Sequence, residues 1–337
     1  MVLIIGSSQL RSALRMADVI KAVEEGFKEF SSKRAVMPPR CRIDVEGGAG
    51  AFLFMPAYLP RAGAIAVKEV SVHSGNRQAR GLPTVRGVVI LSDPKDGSPL
   101  AIIEGAALTA IRTGAAGAIA AKYLSNKDAE AVAIFGAGIQ GRAQLEGLAE
   151  VRGIRKAWIV DPAEAAAKSL AEYAARTLGV DAEVCSDAEG ACRRAGIIVT
   201  ATTSRVPVIY GKWLDGGVHI NGIGSHDPQS REIDSEAVLI AAREGKVVVD
   251  SYEACLSEAG DIIIPIKEGA IARADLHAEI GEVAAGAKRG RESELEVTLF
   301  KSVGISVQDA AAAMAAYQSV LRSGAGVEVE LEDKVVI

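Results

Sequence analysis

AVAIFGAGIQGRAQLEGLAEVRGIRKAWIVD, residues 131–161, decides the fold. It opens on a short apolar run (131–135) that reads as a buried parallel strand. Gly136, Gly138 and Gly141 follow in G-x-G-x-x-G spacing, and then Leu145, Leu148 and Val151 recur at helical intervals. A second apolar run, 157–160, ends on Asp161. Each part suits a dinucleotide. Gly136 permits a tight turn, Gly138 lets the backbone approach a pyrophosphate, and Gly141 lets helix pack on strand. The helix N-terminus presents unpaired N–H groups to the phosphates. Asp161 stands about 20 residues past the last glycine, where an acid accepts from the ribose hydroxyls. A glycine-rich turn in another kind of α/β protein is the plain alternative, and the ordered strand, turn, helix, strand and acid argue against it.

The remaining chain extends this alternation. Beyond residue 131, strands are expected at 131–135, 157–160, 182–184, 197–200, 218–220 and 246–250, with helices between them, such as 162–178. That is the signature of a Rossmann-type doubly wound parallel sheet. The first part reads differently. An amphipathic helix over 10–31 carries Ala17, Val19, Ile20, Val23 and Phe27 on one stripe. Strand-like runs follow at 51–55, 64–72 and 85–91, and Asp96-Gly97 marks a hairpin between 88–91 and 100–103. This part is expected to be mainly antiparallel, with a helix over 105–124 leading out of it. An alanine-rich helix over 306–321 comes after the nucleotide domain is complete, so it is expected to return to the first domain.

Composition narrows the function. The 337 residues suffice for two domains, and 49% hydrophobic residues with only 4% aromatic ones suit parallel strands and close helix packing. A net charge of −5 without a basic block argues against nucleic acid and anionic membranes as partners. No apolar run approaches the ~18 residues of a membrane span, and residues 1–5 are too short for a signal-peptide core. Cys41, Cys185, Cys192 and Cys255 form no CxxC pair, so reduced thiols in a cytoplasmic protein are expected. There is no P-loop, GxSxG elbow, HExxH or Cys/His cluster, and no metal is expected. His73, His219 and His277 are scattered and read as structural.

Several residues are candidates for chemistry. Lys68, in the strand-like AIAVKEV, is either an outward charge or a donor facing a cleft; alternation alone does not choose. Arg112, among the small residues of ALTAIRTGAAGAIAA, must reach solvent or meet an anion, and its planar fork suits a carboxylate or phosphate. Arg40, behind Pro38-Pro39, is a second carboxylate candidate, with Arg42 as its rival. Thr84 and Thr113 are ordinary polar residues on sequence alone. Gly222-Ile223-Gly224-Ser225-His226-Asp227-Pro228 follows an expected strand, where ligands sit in such sheets, although Asp227-Pro228 is also a common turn initiator.

FLFMPAYL (52–59), KEVSVHSGNRQARGLPTVRG (68–87), ALTAIRTGAAGAIAAKYL (107–124), FGAGIQGRAQ (135–144), NGIGSHDP (221–228) and FKSVGISVQD (300–309) together resemble the ornithine cyclodeaminase/mu-crystallin family. That family also contains archaeal-type alanine dehydrogenases and cyclic imino acid reductases. The resemblance implies a Rossmann domain over 123–304 and an α+β substrate and dimerisation domain built from both chain ends, 1–122 and 305–337, in a homodimer. It places Arg40, Lys68 and Arg112 on the substrate carboxylate and gives Lys68 a part in proton movement. It places Thr84, Arg112, Gly136, Gly138, Ile139, Gln140, Gly141, Asp161, Thr200, Thr202, Gly224 and Ser302 at the cofactor. Asp161 favours NAD(H) over NADP(H), since a 2′-phosphate beside a carboxylate is disfavoured by about 1–3 kcal/mol.

One loop departs from the family pattern. Cyclodeaminases and the archaeal-type alanine dehydrogenases carry aspartate two residues after the glycine of a G-x-D loop. Here Gly224-Ser225-His226 puts histidine there, with Asp227 one step later and Ser230 in place of a nearby lysine. In cyclodeaminases that aspartate handles the protons of the amine, whereas reducing a ready-made cyclic imine needs only a carboxylate clamp, one hydride and one proton. The resemblance therefore implies reduction of Δ1-pyrroline-2-carboxylate or piperideine-2-carboxylate, with His226 and Asp227 as the loop's catalytic candidates. An alanine dehydrogenase or ornithine cyclodeaminase, acting on keto or amino acids, is the first alternative. A non-enzymatic nucleotide-binding ligand carrier, as mu-crystallin allows, is the second.

Overall fold

The computed structural model describes residues 1–73 and 75–331; Ser74 of the 68–87 motif and residues 332–337 of the expected returning segment lie outside them. The chain forms two compact units, one of residues Met1–Arg112 with the segment from Ile305 onward, the other Thr113–Gly304. The division falls inside a helix rather than after residue 122.

In chain order, the first unit contains β1 (Val2–Ile5), α1 (Ser7–Ala13), α2 (Met16–Ser31), β2 (Cys41–Asp44), β3 (Ala51–Leu59), β4 (Ala64–Val72), α3 (Asn76–Arg80), β5 (Val85–Ser92) and β6 (Pro99–Glu104). Helix α4 (Gly105–Leu124) spans the division. The second unit continues with β7 (Ala131–Phe135), α5 (Ile139–Val151), β8 (Lys156–Val160), α6 (Glu164–Tyr173), β9 (Asp181–Val184), α7 (Ala188–Arg194), β10 (Ile197–Thr200), β11 (His219–Gly222), α8 (Ser235–Glu244), β12 (Gly245–Val249), α9 (Tyr252–Glu258), α10 (Gly260–Lys267), β13 (Leu276–Glu279), α11 (Ile280–Ala284) and β14 (Val297–Lys301). The first unit is then completed by α12 (Ser306–Ser323) and β15 (Val327–Val329).

The sheet of the first unit runs β15-β1-β6-β5-β4-β3-β2. It is antiparallel except where β1 pairs in parallel with β6. Side chains alternate across it, as the two-residue period requires. Ala64, Ala66, Lys68 and Val70 of β4 are buried. Helix α12 packs against β3, β4 and α2, so the alanine-rich helix does return to the first sheet. Its small side chains allow a close approach: a Cβ on Gly26 of α2 would stand 3.1 Å from that of Ala311.

The sheet of the second unit, β13-β12-β14-β11-β10-β7-β8-β9, is parallel throughout. Its direction of winding reverses between β7 and β10, and in such sheets the crevice outside the carboxyl ends at that reversal receives ligands. The central strand β10 is buried along its whole length, which explains its near-continuous apolar character.

Two expectations need correction. The single helix over 10–31 is two helices, because Leu14 and Arg15 are extended and the Arg15 guanidinium pairs with Asp18 (2.9 Å) in the first turn of α2. No proline or glycine marks the break. The parallel sheet has two further strands, β13 and β14, and β14 lies between β12 and β11. VTLFK did not read as a strand because Thr298 and Lys301 interrupt its apolar run, yet both are buried and partnered.

Candidate active site

The glycine turn after β7 is built for close approach. Gly136 has φ +100°, and a Cβ there would stand 2.4 Å from the carbonyl oxygen of Ala201, which follows β10. A Cβ on Gly141 would lie 1.9 Å from the Gly136 oxygen, so α5 can pack on the turn only with glycine at that position. Gly138 is different, with open space where its Cβ would point. It precedes α5, whose first turn has no side-chain cap, so that an anion can take those N–H groups. Beside it Ile139 is 72% exposed, while the Gln140 Oε1 is buried without a hydrogen-bond partner among the described residues.

Asp161 bridges the turn to the end of β8. One carboxylate oxygen accepts from Ala137 N and the other from Ala163 N, each at 2.7 Å. A carboxylate has about four acceptor positions, which leaves capacity for ribose hydroxyls. The loops after β10 and β11 stand close as well. Thr200 Oγ1 (3.0 Å), Thr202 N (2.6 Å) and Gly224 N (2.7 Å) all donate to Glu232, a buried acid that no local pattern of residues marks out. Ser302 is buried and its hydroxyl donates to Asp250 (2.7 Å).

The 222–228 loop brings its two titratable residues to the surface. His226 is exposed, with Nδ1 3.0 Å from the Gly224 oxygen. Asp227 is half-buried and accepts from Gln229 N (2.8 Å), a local turn contact. His219, by contrast, is wholly buried between Thr298 Oγ1 (2.9 Å) and Asn221 Oδ1 (3.0 Å). Burial drives its pKa down to about 3, so it stays neutral as a structural residue.

The first unit holds a compact charged cluster. Lys68 faces the helix-covered side of its sheet, and its Nζ lies 2.7 Å from Asp309 Oδ2. Arg112 Nε donates to Asp309 Oδ1 (2.9 Å), and its Nη1 donates to Gln308 Oε1. Lys68, Arg112 and Asp309 are exposed by only 2%, 5% and 1%, so a single carboxylate orders two buried cations. Burial is the largest influence on Lys68 and disfavours its charge; Arg112 and Arg40 push the same way, Asp309 opposes them, and the pKa falls to about 8. Burial also works against the charge on Asp309, but Arg112 and Lys68 outweigh it and hold the carboxyl below its ordinary range.

Arg40 is half-buried and near enough for its charge to act on Lys68. Its rival Arg42 is exposed and paired with Asp44 (2.7 Å). Thr84 is half-buried ahead of β5, and its carbonyl accepts from His73 N (2.9 Å). Asp309 and Gln308 lay inside the FKSVGISVQD motif without being singled out. The available signal was an acid in the first turn of an alanine-rich helix, which by itself reads as ordinary complement to the helix dipole.

A reversal of winding in a parallel sheet, a glycine turn open above Gly138 and an acid at the end of the next strand define the second unit as a dinucleotide-binding Rossmann domain. The profile of the ornithine cyclodeaminase/mu-crystallin family matches residues 3–324, and the chain belongs to that family. Delta(1)-pyrroline-2-carboxylate reductase of Bacillus cereus is 39% identical over 328 residues, covering 97% of this chain and 99% of its own. The structure of Thermococcus litoralis Delta(1)-pyrroline-2-carboxylate reductase in complex with NADH and L-proline matches with a TM-score of 0.91 and 44% identity, over 97% of this chain and 100% of that one. An archaeal alanine dehydrogenase dimer with bound NAD matches with a TM-score of 0.89 and 38% identity, over 98% and 99%.

Replacing Asp309 by Asn leaves two buried cations without their counter-charge. Asp309→Asn is expected to lower stability by about 3–5 kcal/mol in urea denaturation. A loss below ~1 kcal/mol would show that the carboxylate is not what anchors Lys68 and Arg112.

Proposed function

We propose that this chain is an NAD(H)-dependent reductase that converts Δ1-pyrroline-2-carboxylate or piperideine-2-carboxylate to proline or pipecolate. The observation that carries this reading is the buried pair Lys68 and Arg112, ordered by Asp309. Two cations held away from water, with a guanidinium among them, suit a small carboxylate-bearing substrate. The likeness to reductases of this substrate class at 39% and 44% identity supports it. The 224–227 loop supports reduction over deamination, because it offers His226 where a cyclodeaminase has its acid and Asp227 is engaged in a turn.

The Rossmann unit fits the cofactor. Gly138 leaves room for the pyrophosphate, the first turn of α5 supplies N–H donors, and Asp161 retains acceptor positions for the ribose. NADH, when bound, supplies the hydride. Arg112 and Lys68, with Arg40, grip the substrate carboxylate and so orient the C=N bond, an effect that raises reactivity through positioning. Lys68, whose pKa near 8 keeps it protonated at neutral pH, is assigned the proton that the substrate nitrogen takes up. Thr84, Thr200, Thr202, Gly224 and Ser302 are assigned to the cofactor, and His226 and Asp227 stay the loop's catalytic candidates.

A homodimer is part of this reading. The sheet face of the first unit opposite α12 leaves Ile43, Ile65, Val88 and Ile90 exposed, and a shallow hollow lined by Val36, Pro56, Ile65, Val67 and Ile90 lies on it. Apolar side chains gathered on one sheet face suit contact with a second copy. The archaeal alanine dehydrogenase is itself a dimer. We place the protein in the cytoplasm, since all four cysteines are unpaired and no helix among the described residues is long and apolar enough to cross a membrane.

Alanine dehydrogenation is the second reading, favoured by the likeness to the archaeal enzyme. Absorbance of NADH at 340 nm separates the two. Oxidation is expected with pyrroline- or piperideine-2-carboxylate and to be far slower with pyruvate plus ammonia. Conversion of ornithine to proline without net NADH change would overturn the reductase reading. The kcat/KM for imine reduction should fall as pH rises through about 8, because Lys68 is charged below that value and neutral above it. A profile flat from pH 7 to 9 would remove Lys68 from the proton transfer. Asp161→Ala should weaken NADH binding more than NADPH binding in fluorescence titrations, and equal losses would mean that the acid orders the turn without reading the ribose.

A further inference from the structure

The loops after β10 and β11 are tied together by one side chain. Glu232, wholly buried, accepts from Thr200 Oγ1 (3.0 Å), Thr202 N (2.6 Å), Gly224 N (2.7 Å) and Ser225 N (3.1 Å). The first two belong to the end of β10 and its loop, the last two to the loop after β11. The fit is tight: a Cβ on Gly224 would stand 2.4 Å from Thr202 O and 2.5 Å from Glu232 Oε1. Glu232 is held in turn. Its own N–H and that of Ile233 donate to Asp261 Oδ1 at 2.7 and 3.0 Å. The other oxygen of Asp261 lies 2.7 Å from Lys301 Nζ, and both of those side chains are fully buried.

We infer that Glu232, carried on the buried Asp261–Lys301 pair, is a positioning residue for the cofactor, setting the two loops that flank the carboxyl ends of β10 and β11 before NAD(H) arrives. Three backbone N–H groups and a hydroxyl converge on it, so only a group that accepts at both oxygens satisfies them. Their fixed direction leaves the outward edges of the loops, Thr202 and Gly224 among them, in one arrangement instead of several. Binding then needs less ordering, which raises affinity. Burial pushes the Glu232 carboxyl up and Asp261 adds to this, while the Lys301 charge opposes both. The lysine thus helps to keep ionised the acid that the four donors require.

The inference rests on the reading of the Rossmann unit as an NAD(H) site, and two measurements separate its fate from that reading. Hydrogen exchange on the wild-type protein without cofactor should find the amides of Thr202, Gly224 and Ser225 slow to exchange. Rapid exchange there would overturn the latch whatever the cofactor. Glu232→Gln puts a donor against converging donors and should raise the NADH dissociation constant and the KM for NADH roughly 10- to 100-fold, with the KM for the imino acid unchanged. Glu232→Asp, which keeps the charge and shortens the reach, should recover part of this loss and covers the case in which the glutamine variant does not fold. A merely structural role predicts a lowered melting temperature with unaltered NADH affinity in a folded Glu232 variant, and that result would overturn the proposal. If wild-type protein takes up no NADH, the reading of the site itself falls.

Discussion

The carboxylate of Asp309 is the contact on which the first unit's chemistry depends. It comes from the segment after residue 305 and meets Lys68 from β4 and Arg112 from α4, the latter 197 residues away in sequence. Two cations of the same sign do not share a dry site without an anion between them, since the loss of hydration is repaid only by an opposite charge in good geometry. The anion also constrains the packing. The helix that carries it must lie on the sheet at the register that puts Asp309 over Lys68, and the small residues along α12 and at Gly26 let it come close enough. What results is a pair of oriented cations whose two charges one carboxylate balances only in part.

The second unit uses the same device for a different end. Asp161, Glu232 and Asp250 each accept two or more hydrogen bonds from backbone N–H groups near the carboxyl edge of the parallel sheet. Backbone at such an edge has left the ladder, and its donors must find partners elsewhere. These acids, Glu232 and Asp250 buried and Asp161 half-buried, supply them and at the same time hold the loops still. The loops around a dinucleotide therefore owe their shape to side chains that lie behind them, in addition to the glycines that let them come close. Rigid support of this kind is what separates an ordered binding edge from a set of flexible connections.

Much of this was legible beforehand, and the reasons are local. The G-x-G-x-x-G turn, its flanking strands and Asp161 are read within 31 residues because turn sterics and helix-end charge act over short spans. Lys68, Arg112 and Arg40 stood out as charges in apolar or constrained surroundings. Asp309, Glu232, Asp261 and Lys301 did not, because an acid or a lysine with no visible partner reads as solvent-facing until the fold brings its partner to it. Strand β14 was hidden for a related reason, its Thr298 and Lys301 being satisfied by distant groups. The break between α1 and α2 left no mark of composition at all.

By itself, the sequence determined the two kinds of sheet, the position of the nucleotide turn and the family to which the chain belongs. These follow from period, glycine spacing and short-range sterics, which a linear pattern records. The tertiary structure decided which way Lys68 faces, that Arg42 is paired at the surface while Arg40 acts on Lys68, and which acids hold the cations and the loops. Burial and charge pairing between residues far apart in the chain make those choices, since the cost of an unpartnered charge exists only once water has been excluded around it.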